Sequence, residues 1–170
     1  MPLSPGSGDS GDLTPVRMNA RSDDEVYRDH ALELTRFATV LVGAGAAQDV
    51  VAEAVIRMMR SRVWVEARDQ RALLFRAVLF EARSLQRSSA RRRLREQAAA
   101  SSEIAREDPL PRPEVWRALE SLSPQQRAVV FLAYWEDLDV ASIAGRLGVS
   151  DGTVRRQLAR ARSRLREVLL

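Results

Sequence analysis

The chain has 170 residues, 45% of them hydrophobic and 29% charged, with a formal net charge of +4 and a pI of about 10.7. That is enough for one ordinary globular domain or two small ones, and no stretch approaches the ~20 apolar residues that span a bilayer. With no Cys and one His (His30), the sequence lacks the parts for a Cys/His zinc site, a thiol nucleophile or a catalytic triad. It also lacks a Gly-rich phosphate loop, so the expectation is a non-enzymatic protein without catalytic residues, metal, cofactor or small-molecule substrate.

Residues 1–22 (MPLSPGSGDSGDLTPVRMNARS) are rich in Gly, Ser, Pro and Asp, show no periodicity and read as a disordered leader. They contain no apolar stretch behind a basic start, so no secretory signal is read and a cytoplasmic location is expected. From Asp23, Tyr27, Ala31, Leu34, Phe37, Ala38 and Leu41 recur at helical steps behind an acidic first turn, and Gly43 and Gly45 mark the stop. His30 falls within this apolar pattern and reads as a helix-boundary residue. A second helix is predicted from Ala46 to Arg62, with Val51, Ala54, Val55 and Met58 on one side and Gln48, Asp49, Glu53 and Arg57 on the other. A third begins near Asp69 and runs through Leu73, Leu74, Ala77, Val78, Phe80 and Leu85 into a cluster of Arg. Three such helices can bury one modest core, giving a first domain over 23–87.

Residues 88–112 read as a flexible linker. Pro109, Pro111 and Pro113 stand at alternate positions, which suits extended backbone and excludes a helix interior. The second domain, 113–170, is punctuated more clearly. Ser123-Pro124-Gln125-Gln126 combines an N-cap, a Pro at the first helical position and a capping-box Gln; Asp139 and Ser150 are placed to cap the next two helices. No strand pattern appears, so the expected fold is all-α: two small helical domains joined by a flexible linker.

All 27 basic residues are Arg. They concentrate at Arg83, Arg87, Arg91, Arg92, Arg93 and Arg95, and again at Arg155, Arg156, Arg160, Arg162, Arg164 and Arg166. Two basic footprints separated by an acidic, Pro-containing segment suit a polyanion contacted at two places; two solvated helix faces would show the same clustering.

Val140 to Leu158, VASIAGRLGVSDGTVRRQL, meets the requirements of a helix-turn-helix. Ala144 is small enough for the helix crossing, and Gly148, four positions on, can take a left-handed turn. Ile143, Leu147, Val149, Val154 and Leu158 fall at inward offsets. A plain helical hairpin would not require all of these together. On the second helix Val154, Leu158, Ala161 and Leu165 form one stripe, which turns Arg155, Arg156, Ala159 and Arg160 outward. In this motif the second helix enters the DNA major groove. Arg can fork onto guanine, Ala159 leaves room for a base methyl, and Thr153 in the first turn can bond a phosphate. Arg162, Arg164 and Arg166 lie further along, suited to backbone contact or to solvent.

The segment WEDLDVASIAGRLGVSDGTVRRQLARARSRLREVL resembles region 4 of bacterial sigma factors of the extracytoplasmic-function (ECF) group. Gly152-Thr153-Val154, Arg160-Ala161-Arg162 and Leu165-Arg166 stand where that family's pattern puts them, and LESLSPQQRAVVFLAYWEDL is similar to its lead-in helices. The resemblance covers about a third of the chain and implies that Thr153, Arg155, Arg156, Ala159 and Arg160 read a −35 promoter element in double-stranded DNA.

The N-terminal helices resemble region 2 of the same family. Ala47-Gln48-Asp49-Val50-Val51-Ala52-Glu53 stands where the family shows an acidic segment that binds core RNA polymerase. Asp49 and Glu53 match it, Gln48 and Ala52 depart from it, and Arg57 completes the implied docking set. Two carboxylates four residues apart share a helix face and can pair with a basic partner. Arg71-Ala72-Leu73-Leu74-Phe75-Arg76-Ala77 resembles the start of the helix that reads and melts the −10 element. There Phe80 and Ser84 replace a frequent Asn and Asp, and Leu73 replaces a common aromatic. Arg76, Phe80, Arg83 and Arg87 are the implied DNA contacts on this side, and Trp64, Phe75 and Phe80 are candidate surfaces for stacking a base.

The resemblance therefore implies a transcription initiation factor whose two domains bind core RNA polymerase and two promoter elements, the linker supplying effective concentration. An anti-sigma factor is a further partner of the family. Two other readings fit the residues alone. One is a stand-alone helix-turn-helix regulator, which predicts a symmetric dimer and palindromic half-sites; the other is a degenerate sigma fold acting through protein–protein interaction.

Overall fold

The computed structural model describes residues 22–96 and 113–169. Among the described residues there are α-helices and no strands, so the all-α expectation agrees with the structure. The helices are α1 (Asp23–Val42), α2 (Ala44–Met59), α3 (Arg62–Glu66), α4 (Gln70–Glu96), α5 (Pro113–Glu120), α6 (Pro124–Tyr134), α7 (Val140–Leu147) and α8 (Asp151–Leu169). Apart from Ser22, the expected leader lies outside the described residues, as does 97–112 of the expected linker.

Local chemistry sets most of the boundaries. Ser22 opens α1 with a capping box: its hydroxyl accepts the Glu25 N–H at 3.2 Å and the Glu25 carboxylate accepts the Ser22 N–H at 3.0 Å. Gly43, at φ +84°, ends α1 by donating to the Thr39 carbonyl at 2.8 Å and starts α2 in the same step. Gly45 is therefore the second residue of α2 and not part of a break. His30 lies within α1, half-buried, and is not at a boundary.

The expected second helix ends three residues early. α2 stops at Met59, and a short helix not foreseen in the sequence, Arg62–Glu66, forms α3, whose five residues are too few to show a periodicity. This helix turns Trp64 into the core at 1% exposure, with its indole N–H donating to the Asp23 carboxylate at 2.7 Å. Asp69 accepts the Ala72 N–H at 2.8 Å as α4 begins. α4 then continues to Glu96, so 88–96 are helical and the linker cannot begin at Ser88. That stretch is mostly Arg, Leu, Ala and Glu, good helix formers, and the first Pro after it is Pro109.

The larger departure from expectation lies in the core. The two units do not carry separate cores; one apolar cluster runs from Leu34, Phe37 and Leu41 of α1 through Leu74, Phe75 and Val78 of α4 to Val129, Phe131 and Leu132 of α6 and Ile143 of α7. Phe37 joins them, its ring centroid 4.8 Å from Phe75 and 5.6 Å from Phe131. Burying a Phe side chain is worth about 1.5–3 kcal/mol, and these rings are fully or almost fully buried. α1 and α6 each bury residues around most of their circumference, more than the helices of one unit alone can cover.

Candidate nucleic-acid interface

The C-terminal helices take shape from short-range caps. Ser123 and Gln126 close their capping box at 3.3 and 2.9 Å, with Pro124 at the first helical position of α6. Asp139 caps α7 by accepting the Ser142 N–H at 2.7 Å. This bond, with a further one from the Ser142 side chain, holds the Asp139 carboxyl below its ordinary pKa. α7 ends at Gly148, which is left-handed at φ +67°; its N–H and that of Val149 both return to the Ala144 carbonyl. Ser150 then caps α8, its hydroxyl accepting the Thr153 N–H at 3.2 Å.

These turns fix the rotation of α8. Val154, Leu158 and Ala161 are buried against α6 and α7, with Leu165 half-buried beyond them, and Ile143, Ala144 and Leu147 are buried on α7. Arg155, Arg156, Ala159 and Arg160 consequently face solvent. Thr153 is half-buried, its hydroxyl 3.0 Å from that of Ser150 and accepting from Arg156 at 3.4 Å. Arg155 has only a loose pairing with Asp151, at 3.8 Å. The face thus presents guanidinium groups that are barely committed within the protein, on a helix rigidly seated on its opposite side. Such a face can fork onto base edges or phosphates. Further along, Arg162 donates to the Tyr134 hydroxyl at 2.8 Å, and Arg164 pairs with Glu167 at 3.0 Å.

The residues expected on the −10 side do not form one surface. Arg83 and Arg87 are exposed on α4. Phe80 is also exposed, at 52%, with the Arg57 guanidinium 5.8 Å from its ring centroid. Arg76 is turned toward the other unit: it donates to the Gly145 carbonyl of α7 at 2.6 Å. Trp64 and Phe75, considered as base-stacking surfaces, are 1% and 0% exposed and belong to the core, so of the three only Phe80 is available.

On α2, Asp49 and Glu53 are exposed on a shared face and border a shallow groove with Glu81 and Ser84 of α4. Arg57 is not free beside them. It pairs with Glu53 at 3.2 Å and with Glu81 at 2.9 Å, which makes it an internal tie between α2 and α4.

Sequence reasoning missed a set of charged residues between the two units. Glu33 of α1 accepts from Arg71 of α4 through both carboxylate oxygens and from Arg146 of α7 at 3.4 Å, with His30 Nδ1 3.5 Å away. The bond to Glu33 raises the Arg71 pKa. Burial, then the nearby charge of Arg71, lowers that of Arg146, which also lies 4.9 Å over the Phe75 ring. Arg127 of α6 is buried at 9% exposure and donates to four carbonyls: Leu119, Leu122, Glu120 and, across to α1, Leu41. Burial lowers its pKa too, opposed by Glu120. Partners 86 and 113 residues apart leave no mark on a local pattern.

Comparison with known proteins places this geometry. The family model described as "Sigma-70, region 4" matches residues 112–165, which hold α5 to α7 and most of α8. The ECF RNA polymerase sigma factor SigL of Mycobacterium tuberculosis is 32% identical over 153 residues, covering 85% of this chain and 86% of the relative. The ECF RNA polymerase sigma factor SigE of Mycolicibacterium smegmatis is 31% identical over 168 residues, covering 93% of this chain and 65% of the relative. The RNA polymerase sigma-E factor of Streptomyces antibioticus is 48% identical over 52 residues, but the match spans only 31% of this chain and 29% of that relative. Among solved structures, the sigma factor RpoE crystallised with the anti-sigma factor NepR from Bartonella quintana shares the fold, at a TM-score of 0.62 and 22% identity over 86% of this chain and 97% of that one.

Proposed function

Because this chain belongs to the ECF RNA polymerase sigma factors, we propose that it is a transcription initiation factor that binds core RNA polymerase and directs it to promoters through two DNA elements. The observation that carries the reading is the outward row Arg155, Arg156, Ala159 and Arg160 on α8, opposite its buried stripe and behind the Gly148 turn. This face reads the −35 element, with Thr153 on a phosphate. Arg83, Arg87 and Phe80 on α4 serve the −10 side, joined by Arg76 once it is released from α7. Asp49 and Glu53 meet the polymerase.

The work is binding and positioning, with no bond made or broken by the chain itself. Among the described residues no helix is long and apolar enough to cross a membrane, and the proposed place of action is the cytoplasm, where polymerase and promoter are. An anti-sigma factor is included as a partner because the family has them.

Transcription in vitro with core polymerase and a promoter library tests the reading. The expected result is initiation only when the factor is added, with footprints on an asymmetric pair of elements. Polymerase-independent protection of a palindrome would replace the reading with that of a dimeric regulator.

A further inference from the structure

Among the described residues Arg127 is the one charged side chain buried to 9% exposure, and its partners are backbone carbonyls alone. We propose that it is the anion-recognising group of a small-molecule site, a groove of 480 Å³ that takes a small apolar monocarboxylate. The groove shares no residue with the faces assigned to DNA and polymerase, and the inference does not rest on the sigma-factor reading.

The hydrogen bonds of Arg127 leave room for a ligand. A guanidinium carries one N–H on Nε and a pair on each terminal nitrogen. Nε is shared between the carbonyls of Leu119 and Leu122 at 2.8 and 3.1 Å, Nη1 donates to that of Leu41 at 2.7 Å, and Nη2 to that of Glu120 at 2.9 Å. Each terminal nitrogen therefore keeps an N–H that no group of the protein accepts. The Leu41, Leu119 and Glu120 carbonyls lie at the C-terminal ends of α1 and α5, whose partial negative charge offsets part of the cost of a buried cation. Arg71 and Arg146 meet that cost differently, each with the Glu33 carboxylate. Arg127 has no such group, and the spare N–H on either arm of one planar fork suit the paired oxygens of a carboxylate.

The groove supplies the rest of the recognition. Its volume falls within the range of roughly 300–1,000 Å³ found for small-molecule pockets. Leu41 and Val42 of α1, Leu85 of α4 and Trp116 of α5 give it apolar walls, and Gln86 and Ser89 of α4 add neutral polar groups. Such a lining suits a ligand with an apolar body and a single polar end. A phosphate ester fits less well, because its dianion calls for more donors than Arg127 has to spare. Glu120 is the one carboxylate on the lining; it is exposed and reaches Arg127 only through its backbone carbonyl. Its charge favours the protonated guanidinium and repels an incoming anion, so neutralising it should strengthen binding.

The test is a titration of the isotope-labelled full chain with decanoate, with decanol as its uncharged counterpart, followed by nuclear magnetic resonance. Trp64, Trp116 and Trp135 each give an indole N–H signal, and of these only Trp116 lies on the groove. The expected result is a saturable shift of the Trp116 signal at decanoate concentrations that leave Trp64 and Trp135 unmoved. Decanol should bind about tenfold more weakly, as should decanoate to Arg127→Gln, for loss of a charge-assisted hydrogen bond. Glu120→Gln should tighten decanoate binding by about two- to threefold, the scale of an exposed charge. Ala90→Trp, which fills the groove from an exposed position of α4, should remove it.

Equal affinity for decanoate and decanol overturns the proposal, and so does a Glu120→Gln chain that binds decanoate no more tightly than the wild type. Shifts that never saturate, or that move Trp135 as much as Trp116, mean that an amphiphile is coating the surface, and they overturn it too. Binding that survives Ala90→Trp places the ligand elsewhere and removes the site. If Arg127→Gln fails to fold, Glu120→Gln and Ala90→Trp decide the matter, because both positions are exposed.

Discussion

The helix α8 and the boundary between the two units use the same residue type to opposite ends. On α8, Arg155, Arg156 and Arg160 face solvent, and the pairing of Arg155 is loose at 3.8 Å. At the boundary, Arg71, Arg76, Arg127 and Arg146 are taken up by a carboxylate or by backbone carbonyls. What separates them is the rest of each helix. α8 buries a single narrow stripe and leaves its opposite side to solvent, whereas α6, α7 and the first turns of α4 are covered on several sides and the guanidinium groups there find partners inside the protein. Arginine clustering alone therefore does not mark an available surface; the burial of the opposite face is what turns these side chains outward.

The sharpest way to break this comparison is to remove the C-terminal unit's ring from the contact with Phe37. Phe131→Ala should cost about 3–5 kcal/mol, the usual range for deleting a buried Phe, because its ring packs on Phe37 of α1 and stacks 6.3 Å from Trp135. Urea unfolding followed by Trp fluorescence checks it, since Trp64 reports on one unit and Trp116 and Trp135 on the other. One shared transition moved to lower urea is expected. Two separate transitions, only the second of them moved, would mean that the units are independent after all.

The next largest effect concerns the exposed arginines. Arg155→Ala or Arg156→Ala should reduce discrimination between the cognate −35 element and a mismatched one by about 1–3 kcal/mol if the side chain forks onto a base. Stability should hardly change, because both are exposed. Competition binding of the polymerase-bound factor to matched and mismatched duplexes separates the possibilities. Equal weakening on both duplexes would reassign these residues to phosphate contact.

On the N-terminal unit, Asp49→Lys with Glu53→Lys should weaken binding to core polymerase by about tenfold while leaving the fold intact. Asp49 has an exposed carboxylate, and the loss of Glu53 still leaves Arg57 its shorter bond to Glu81. Affinity titration with core enzyme, beside a circular dichroism control, measures it. Undiminished affinity of the folded variant would move the docking face elsewhere.

Much of the C-terminal architecture was legible in the sequence because its determinants act over three or four residues. Ser123, Asp139, Gly148 and Ser150 each do what their position implies, and the stripe through Val154, Leu158 and Ala161 orients α8 without help from the rest of the chain. The N-terminal unit was less legible. α4 is apolar around most of its circumference from Ala72 to Ala82, so no periodicity distinguishes the buried Phe75 from the exposed Phe80. α3 is too short to carry a period. Glu33 reads as one more surface carboxylate until the fold brings Arg146 to it across 113 residues. The partners of Arg76 and Arg57 were not legible for the same reason: they belong to other helices.

The smallest expected effect tests the local half of this contrast, through pH. The Asp139 carboxyl is held below its ordinary pKa by its bonds to Ser142 at the start of α7. A group depressed in the folded state contributes stability that is fully present above its unfolded pKa and is lost as pH falls through the folded one. Asp139→Asn retains an oxygen acceptor for the Ser142 N–H but removes the charge that favours a helix N-terminus. The variant should therefore melt slightly below the wild type at neutral pH, and the gap should close on acidification beneath the normal carboxylate range. Melting curves of the two proteins across that range decide the matter. A gap that stays constant with pH would mean that the charge of Asp139 contributes nothing to α7, and that its cap is only a matter of shape.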